Sequence, residues 1–399
     1  MLETEMDERS SGPVTTPDSE VFYDRTGPGT PCGRFLRQFW TPVALLNDVA
    51  PGRAKRVWMM GEQFTYYRGE TGTPHVVASE CAHRHTTLAP HGIVEDDCIR
   101  CFYHGWKFDA SGQCVEQPAE GNRSFAHKVR INGYPVREDL GIVFAFLGAG
   151  DPPPFQQIDV FHGPGVCNTS TYERQTNFFN AVENQADWLH VYFVHRRGAF
   201  TAVDPNAIPV VTAEETDYGL IGYLHQADGT VAKQYVLMPT CMYINIYAPA
   251  LGEGDGSPIP VYYFGWRVPI DDNSYRSFNV TYADVTGEAA KRFVAAQQAK
   301  REAGRSKPSS KSVMDALERG ELHVNEVDLD HPDLVGIQDS ITMENQRSIS
   351  EREPDRLGHS DAGVIALRKI YRREIRKLIA GEPLKAWQWP RDLEVVGGF

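Results

Sequence analysis

The sequence predicts an α+β protein: a small all-β domain, then a larger domain in which an antiparallel sheet is flanked by helices. Three observations carry that expectation. From about 41 to 148, short β-rich pieces alternate with Gly, Pro and Asp breaks, the rhythm of a small all-β domain. Asp151-Pro-Pro-Pro154 then forms a stiff, extended boundary. Beyond it, strand patterns near 208–224, 235–248, 261–268 and 275–283 are followed by helical patterns at 287–303 and 361–380, as in an α+β domain.

Taken in order, residues 1–40 form an N-terminal arm and an opening helical segment. The first twenty residues are acidic and polar and lack the basic-then-apolar pattern of a signal peptide. Phe35-Leu-Arg-Gln-Phe-Trp40 is a short amphipathic piece. Residues 41–150 make the all-β domain, with strands expected at Arg56–Met60, Phe64–Tyr67, Val76–Ala78 and Gly141–Phe146. Residues 151–399 make the larger domain. Asn177 to Val194 lacks breakers and is expected as one helix. The last helix starts on Ser360-Asp361 and stops at Gly381 and Pro383. The Ser- and charge-rich stretch 304–330 is expected as a mobile insertion.

At 399 residues the chain is long enough for two or three domains, and 41% apolar content provides sizeable cores. With 40 basic against 53 acidic side chains the net charge is −13, a poor match for nucleic acid or anionic lipid. An acidic surface suits docking to a basic patch on a partner protein. No run of about 18 apolar residues exists, so no transmembrane helix is expected. The seven cysteines are odd in number, and without an export signal they are expected to remain reduced in a cytoplasmic protein.

The most informative segment is Cys81-Ala-His83, then 17 residues, then Cys101-Phe-Tyr-His104-Gly-Trp106. Each of two short loops offers one thiolate and one imidazole. A Rieske [2Fe–2S] centre needs two cysteines on one iron and two histidines on the other, and neutral imidazoles raise its potential above that of an all-cysteine cluster. A structural Cys₂His₂ zinc site uses the same residue types, but C-x-H does not fit the usual finger spacing. Cys98 makes a C-x-x-C pair with Cys101. It is taken as a buried strand residue, because a zinc ribbon needs a second such pair. His85 and His91 in the same region are taken as solvent-facing or hydrogen-bonded histidines.

A second constellation lies in the helical segment Asn180 to His195. Asp187 and His190, three apart, share a helix face, and a kink or helix end must bring His195 back towards it. Two histidines with a carboxylate make the facial triad of oxygen-activating Fe(II) enzymes. Two helical histidines alone are more often core or surface residues; the upstream Cys/His loops reverse that reading.

With both motifs in view, the chain resembles the oxygenase (α) subunits of Rieske-type non-haem iron oxygenases, in the branch that includes phthalate dioxygenase and aryl-ether O-demethylases. The resemblance covers most of the chain, including Gly27–Pro31, Arg37-Gln-Phe-Trp40-Thr-Pro42, both metal motifs and Arg356-Leu-Gly-His-Ser360-Asp361. It implies that Cys81, His83, Cys101 and His104 hold a [2Fe–2S] cluster, and that His190 and His195 hold a mononuclear Fe(II). Ile337-Gln338-Asp339-Ser340 resembles the stretch whose aspartate completes the triad, which points to Asp339, with Asp333 and Glu344 as alternatives. Asp187 is implied to link the iron ligands to a Rieske histidine of a neighbouring subunit. The Asn184-to-Asp187 spacing is one residue shorter than in some ring dioxygenases, and 304–330 has no counterpart.

The implied activity is insertion of oxygen from O₂ into an aromatic substrate, with electrons from a separate reductase of flavin and ferredoxin type. The chain has neither a G-x-G-x-x-G after a strand nor a C-x₄-C-x₂-C run, so NAD(P)H is expected to act only through that reductase. Electron transfer across subunits implies a homo-oligomeric ring, expected as a trimer. Arg196 and Arg197 directly follow His195 and are candidates for pairing with a substrate carboxylate, although a surface or inter-subunit salt bridge uses the same side chains. Two other readings stay open. One is an O- or N-demethylase using the same ligands. The other is a Rieske electron carrier or zinc-stabilised binding module without catalytic iron, against which the further 250 or so residues count.

Overall fold

A computed structural model describes residues 22–198, 207–248 and 259–393; most of the expected N-terminal arm lies outside the described residues. Helix α1 (Pro31–Leu36) opens the described chain. Pro31 takes its first position and the Thr30 hydroxyl accepts from the Gly33 N–H, two features that favour a helix start.

The next eleven strands are short, as the spacing of turn residues predicts. They are β1 (Trp40–Leu45), β2 (Arg53–Met59), β3 (Glu62–Arg68), β4 (Pro74–Ala78), β5 (Ile93–Glu95), β6 (Cys98–Arg100), β7 (Lys107–Phe108), β8 (Cys114–Glu116), β9 (Gly133–Tyr134), β10 (Val136–Asp139) and β11 (Ile142–Phe146). They form three antiparallel sheets, in the orders β1-β11-β10, β2-β3-β4-β9 and β5-β6-β7-β8. A small core of its own, including Tyr67, Val77, Leu88, Ile99 and Phe108, lies under the two Cys/His loops.

The second part begins with β12 (Val166–Arg174), α2 (Phe178–Ala186) and α3 (His190–Val194). A meander follows: β13 (Val210–Glu215), β14 (Gly219–His225), β15 (Val231–Leu237), β16 (Cys241–Ala248), β17 (Ile259–Pro269) and β18 (Tyr275–Ala283). These six strands and β12 form one antiparallel sheet, ordered β12-β18-β17-β16-β15-β14-β13. Helices α4 (Gly287–Gly304), α5 (Ser310–Glu318), α6 (Leu334–Met343) and α7 (Ala362–Ala380) complete the fold. A chain of edge-on aromatic contacts joins the small β1 sheet to the large one: Trp40 to Phe155, Phe155 to Phe144, Phe144 to Trp266, and Phe264 to Trp266 and Trp389. Among the described residues no helix is long and apolar enough to cross a membrane.

Several local expectations need correction. The stretches 208–224 and 235–248 each run over a turn, the first taking in β13 and β14 and the second the end of β15 with β16, and β12 lies outside every expected strand. Cys98 is on a strand, β6, but is half-buried rather than buried. The single helix expected from Asn177 to Val194 is two helices, interrupted at Asp187–Leu189. Trp188 is buried at the break, where a Cβ on Gly222 would stand 2.2 Å from its ring and one on Gly363 2.8 Å. The indole therefore occupies space that two glycines leave open, and the helix yields to seat it. The stretch 304–330, expected as a mobile insertion, carries α5. Val313 and Met314 of α5 pack with Val327, Leu334 and Ile337 in a small core, so the segment is built onto α6.

Candidate metal centres and the cavity beside them

The two Cys/His loops repeat one backbone pattern. Cys81 N–H donates to Thr86 O at 2.9 Å and Cys101 N–H to Trp106 O at 2.8 Å; the carbonyls of Cys81 and Cys101 accept from His85 and Gly105 at 3.0 Å each. Each loop then turns through a left-handed residue, His85 (φ 57°) or Gly105 (φ 76°). Gly105 has a further reason, because a Cβ there would meet Pro118 Cγ at 2.7 Å. His85 itself points to solvent and reaches Glu80 Oε2 at 3.0 Å, as expected of a non-ligand.

This repeat brings the four expected side chains together. Cys81 and Cys101 are buried, while His83 and His104 lie nearer the surface with ring centroids 4.5 Å apart. His83 stacks on Trp106 at 4.4 Å and 9°, which fixes its plane. Burial, with Cys101 alongside, pushes the Cys81 thiol up to about 12, and burial with the nearby His83 and Arg84 lowers His104. Thiolates there need a bound cation for stability, whereas the imidazole is already neutral and able to ligate. Nδ1 of His83 is buried and makes no hydrogen bond. The donor set fits a [2Fe–2S] cluster with its cysteine side inward and its histidine side towards the surface. Phe102 and Tyr103, exposed at 74% and 54%, flank that outer side.

The second set of expected residues also converges. Ligand atoms of His190, His195 and Asp339 all lie within 4.8 Å of one another. Asp339 Oδ1 is 3.2 Å from His195 Nε2 and 3.7 Å from His190 Nε2, and is buried without a hydrogen bond. Each imidazole is held from behind. Nδ1 of His190 contacts the main-chain oxygen of Asp187, and Nδ1 of His195 donates to Gln338 Oε1 at 2.9 Å, whose Nε2 donates to Arg197 O at 3.1 Å. Both Nε2 atoms thereby face the Asp339 carboxylate, and the support at Nδ1 is the usual arrangement behind ligating histidines. Burial works against ionisation of Asp339, but His195, His190 and Arg174 outweigh it and hold the carboxyl below its ordinary range. The residues present fit a divalent ion bound on one face.

The other expected site residues lie elsewhere. Asp187 ends α2, its main-chain N–H donating to the carbonyls of Glu183 and Asn184; burial raises its carboxyl, with His190 opposing, and within this chain it is the carbonyl of Asp187, not the carboxylate, that supports His190. Asp333 accepts from Ser310 Oγ at 2.6 Å, and Glu344 lines the cavity outside the three-residue group. Arg196 and Arg197 are exposed and do not line the cavity; Arg197 donates to O and Oδ1 of Asn325 at 3.1 and 2.9 Å.

A cavity of about 1120 Å³ opens beside His190, His195 and Asp339. Gln185, Trp188, Met242, Ile244, Tyr263 and Tyr275 contribute to its lining, and the amide of Gln185 is buried there without a partner. Two arginines missed in the sequence, Arg174 on β12 and Arg267 on β17, also line it, and both are buried. An arginine inside the apolar run Tyr262 to Val268 was the available signal, since arginine is rarely buried without a partner.

A family model described as Rieske [2Fe-2S] domain matches residues 39–135, the segment that holds both Cys/His loops. The 5,5'-dehydrodivanillate O-demethylase oxygenase subunit of Sphingobium sp. is 29% identical over 91% of this chain and 81% of its own length. The phenoxybenzoate dioxygenase subunit alpha of Ectopseudomonas oleovorans is 33% identical over 63% of this chain, which spans 64% of that protein. Among solved structures, the terminal oxygenase of carbazole 1,9a-dioxygenase from Novosphingobium sp. KA1 superposes with a TM-score of 0.60 at 21% identity, covering 90% of this chain and 96% of that one. A carbazole 1,9a-dioxygenase oxygenase solved in complex with ferredoxin has the same fold, with a TM-score of 0.58 at 19% identity over 87% and 93% of the two chains. Paired Cys/His loops, a matching domain and these relatives lead to one conclusion: the chain carries a Rieske [2Fe–2S] domain and is similar over most of its length to oxygenase subunits of Rieske-type oxygenases.

Proposed function

We propose that this subunit is the terminal oxygenase of a cytoplasmic system that inserts oxygen from O₂ into an aromatic, carboxylate-bearing substrate. Residues 41–150 act as the cluster domain and 151–399 as the catalytic domain. The observation that carries the reading is the convergence of His190, His195 and Asp339 at the wall of a large cavity, in the same chain as Cys81, His83, Cys101 and His104. Bound in those two places, a [2Fe–2S] cluster supplies electrons singly and Fe(II) supplies dioxygen activation. The chain's own residues orient and insulate these groups. Gln338 and the Asp187 carbonyl set the imidazoles, and Trp188, Met242, Ile244, Tyr263 and Tyr275 give the chamber beside them an apolar wall for an aromatic ring.

The Asp187 carboxyl is assigned the link between His190 and a Rieske histidine of the adjacent subunit, which requires a ring of subunits, as a trimer. The donor is a reductase of flavin and ferredoxin type. Its docking face is the outer, histidine side of the cluster, beside exposed Phe102 and Tyr103.

A second reading, O-demethylation of a methoxylated aromatic acid, is favoured by the coverage of the O-demethylase relative, 91% of this chain. Both readings use the same ligands. Product analysis with a panel of aromatic acids and aryl ethers, supplied with a generic reductase, separates them. Formaldehyde marks demethylation, and a diol marks ring dioxygenation. No oxygenated product from any aromatic compound in the panel would contradict both.

A further inference from the structure

Two buried arginines stand side by side on one wall of the cavity. Arg267 is 6% exposed and Arg174 8%, and their guanidinium carbons lie 6.0 and 4.9 Å from the centroid of the same Tyr172 ring. Two cations are therefore crowded on one wall. Arg174 donates to Gly336 O at 2.9 Å and to the Tyr275 hydroxyl at 3.3 Å, and its nearest carboxylate, Asp339, stands 3.9 Å away. That carboxylate is already shared with His190 and His195.

Arg267 meets only neutral partners. It donates to Ser277 Oγ at 2.7 Å and, at 3.3 Å each, to Asn279 Oδ1, the Tyr263 hydroxyl and Met242 Sδ. Among the described residues no carboxylate lies within ion-pair distance of it. Desolvating a guanidinium is costly unless a counter-charge is present, and a structural arginine at such depth ordinarily has one. The side chain is also fixed in place, because Ser277 faces it across the β17–β18 ladder and itself donates to Asn279 at 2.7 Å. A rigid, desolvated planar fork that faces a cavity is suited to a ligand carboxylate.

We infer that Arg267, assisted by Arg174, is the receptor for the substrate's carboxylate, so the enzyme selects aromatic anions over neutral aromatics of the same shape. The inference rests on the proposed aromatic substrate and replaces Arg196 and Arg197 in that role. Neutral hydrogen-bond partners around Arg267 hold it in position without a counter-charge, which leaves the anion's place to the substrate.

The test is calorimetric titration of the metal-loaded protein with two isosteres, 4-methoxybenzoate and 4-methoxybenzamide, together with benzoate and phthalate. The wild-type protein is expected to bind the acid at least tenfold tighter than the amide. Arg267→Gln is expected to weaken the acid about 100-fold, the scale of a lost buried charge-assisted pair, and to change amide binding less than threefold. Arg267→Lys should restore part of the acid affinity, and Arg174→Gln should weaken the acid about tenfold. Visible cluster absorbance and the melting midpoint identify any variant that fails to fold, in which case the Lys variant and the wild-type acid/amide ratio decide. Equal affinity of the wild type for acid and amide overturns the inference, as does equal weakening of both by Arg267→Gln. Because titration needs no turnover, acid selectivity without oxygenation sinks the oxygenase reading alone, and oxygenation without acid selectivity sinks this one alone.

Discussion

The imidazole of His195 donates from Nδ1 to Oε1 of Gln338, 2.9 Å away, and Gln338 sits one residue before Asp339 on the same helix. One turn of α6 thus supplies a carboxylate to the ligand set and a support to its histidine. Gln338→Leu removes the support and leaves the ligands intact. Its iron affinity is expected to fall 10- to 100-fold, with the cluster spectrum unchanged. Competition with a chelator reads the change directly.

Asp187 is expected to act on electron passage rather than on metal retention, because the carbonyl, which substitution keeps, is what supports His190. Asp187→Asn should retain both kinds of iron. Rapid-mixing reoxidation of the reduced cluster in the presence of substrate should slow about 100-fold. Loss of mononuclear iron in this variant would instead assign the carboxylate a structural role at His190.

Arg196→Ala and Arg197→Ala should each leave the Michaelis constant within about twofold of wild type, since both side chains are exposed and Arg197 is committed to Asn325. Steady-state kinetics on any accepted aromatic acid checks this.

Helices α2 and α7 are tied together by charge. Glu183 on α2, 6% exposed, contacts Arg368 on α7 and Arg352 at 3.2 Å, and Asp355 takes both guanidiniums at 2.5 and 2.8 Å. Arg368→Ala leaves the buried Glu183 short of a partner and should destabilise the protein by about 3 kcal/mol in denaturant unfolding. Burial opposes ionisation of Asp355, but Arg352 and Arg368 outweigh it and hold the carboxyl below its ordinary range. A depressed carboxyl stabilises the fold above its unfolded value near 4, and that stability is lost as pH falls through the folded value. The melting midpoint should hold from pH 7 to 5 and drop below about pH 4, less steeply in Asp355→Asn.

What could be read from the sequence was what is local in it. The four cluster residues lie in two loops of a few residues each, so their spacing carries the geometry. The large sheet was legible in part: β17 and β18 match the apolar stretches read near 261–268 and 275–283, whereas 208–224 merges β13 with β14, 235–248 merges the end of β15 with β16, and polar β12 (Val166–Arg174) gave no signal. The position of the break at Trp188 was not legible, because it depends on Gly222 and Gly363, far away in sequence. Helix α5 was hidden by its Ser and Lys residues, although Val313, Met314 and Leu317 keep a helical spacing. Asp339 required the family resemblance, standing 144 residues after His195 (339 − 195). Arg174 and Arg267 were invisible for another reason: strand patterning tells which residues alternate, not which of two faces borders a cavity.

Metal and sulfide content per chain, after anaerobic loading with iron and sulfide, tests the account most directly. Three irons and two sulfides per chain are expected in the wild type. His195→Ala and Asp339→Ala should hold two irons and an unchanged reduced-cluster paramagnetic signal. Two irons in the wild type, or zinc in place of iron at Cys81, His83, Cys101 and His104, would contradict it.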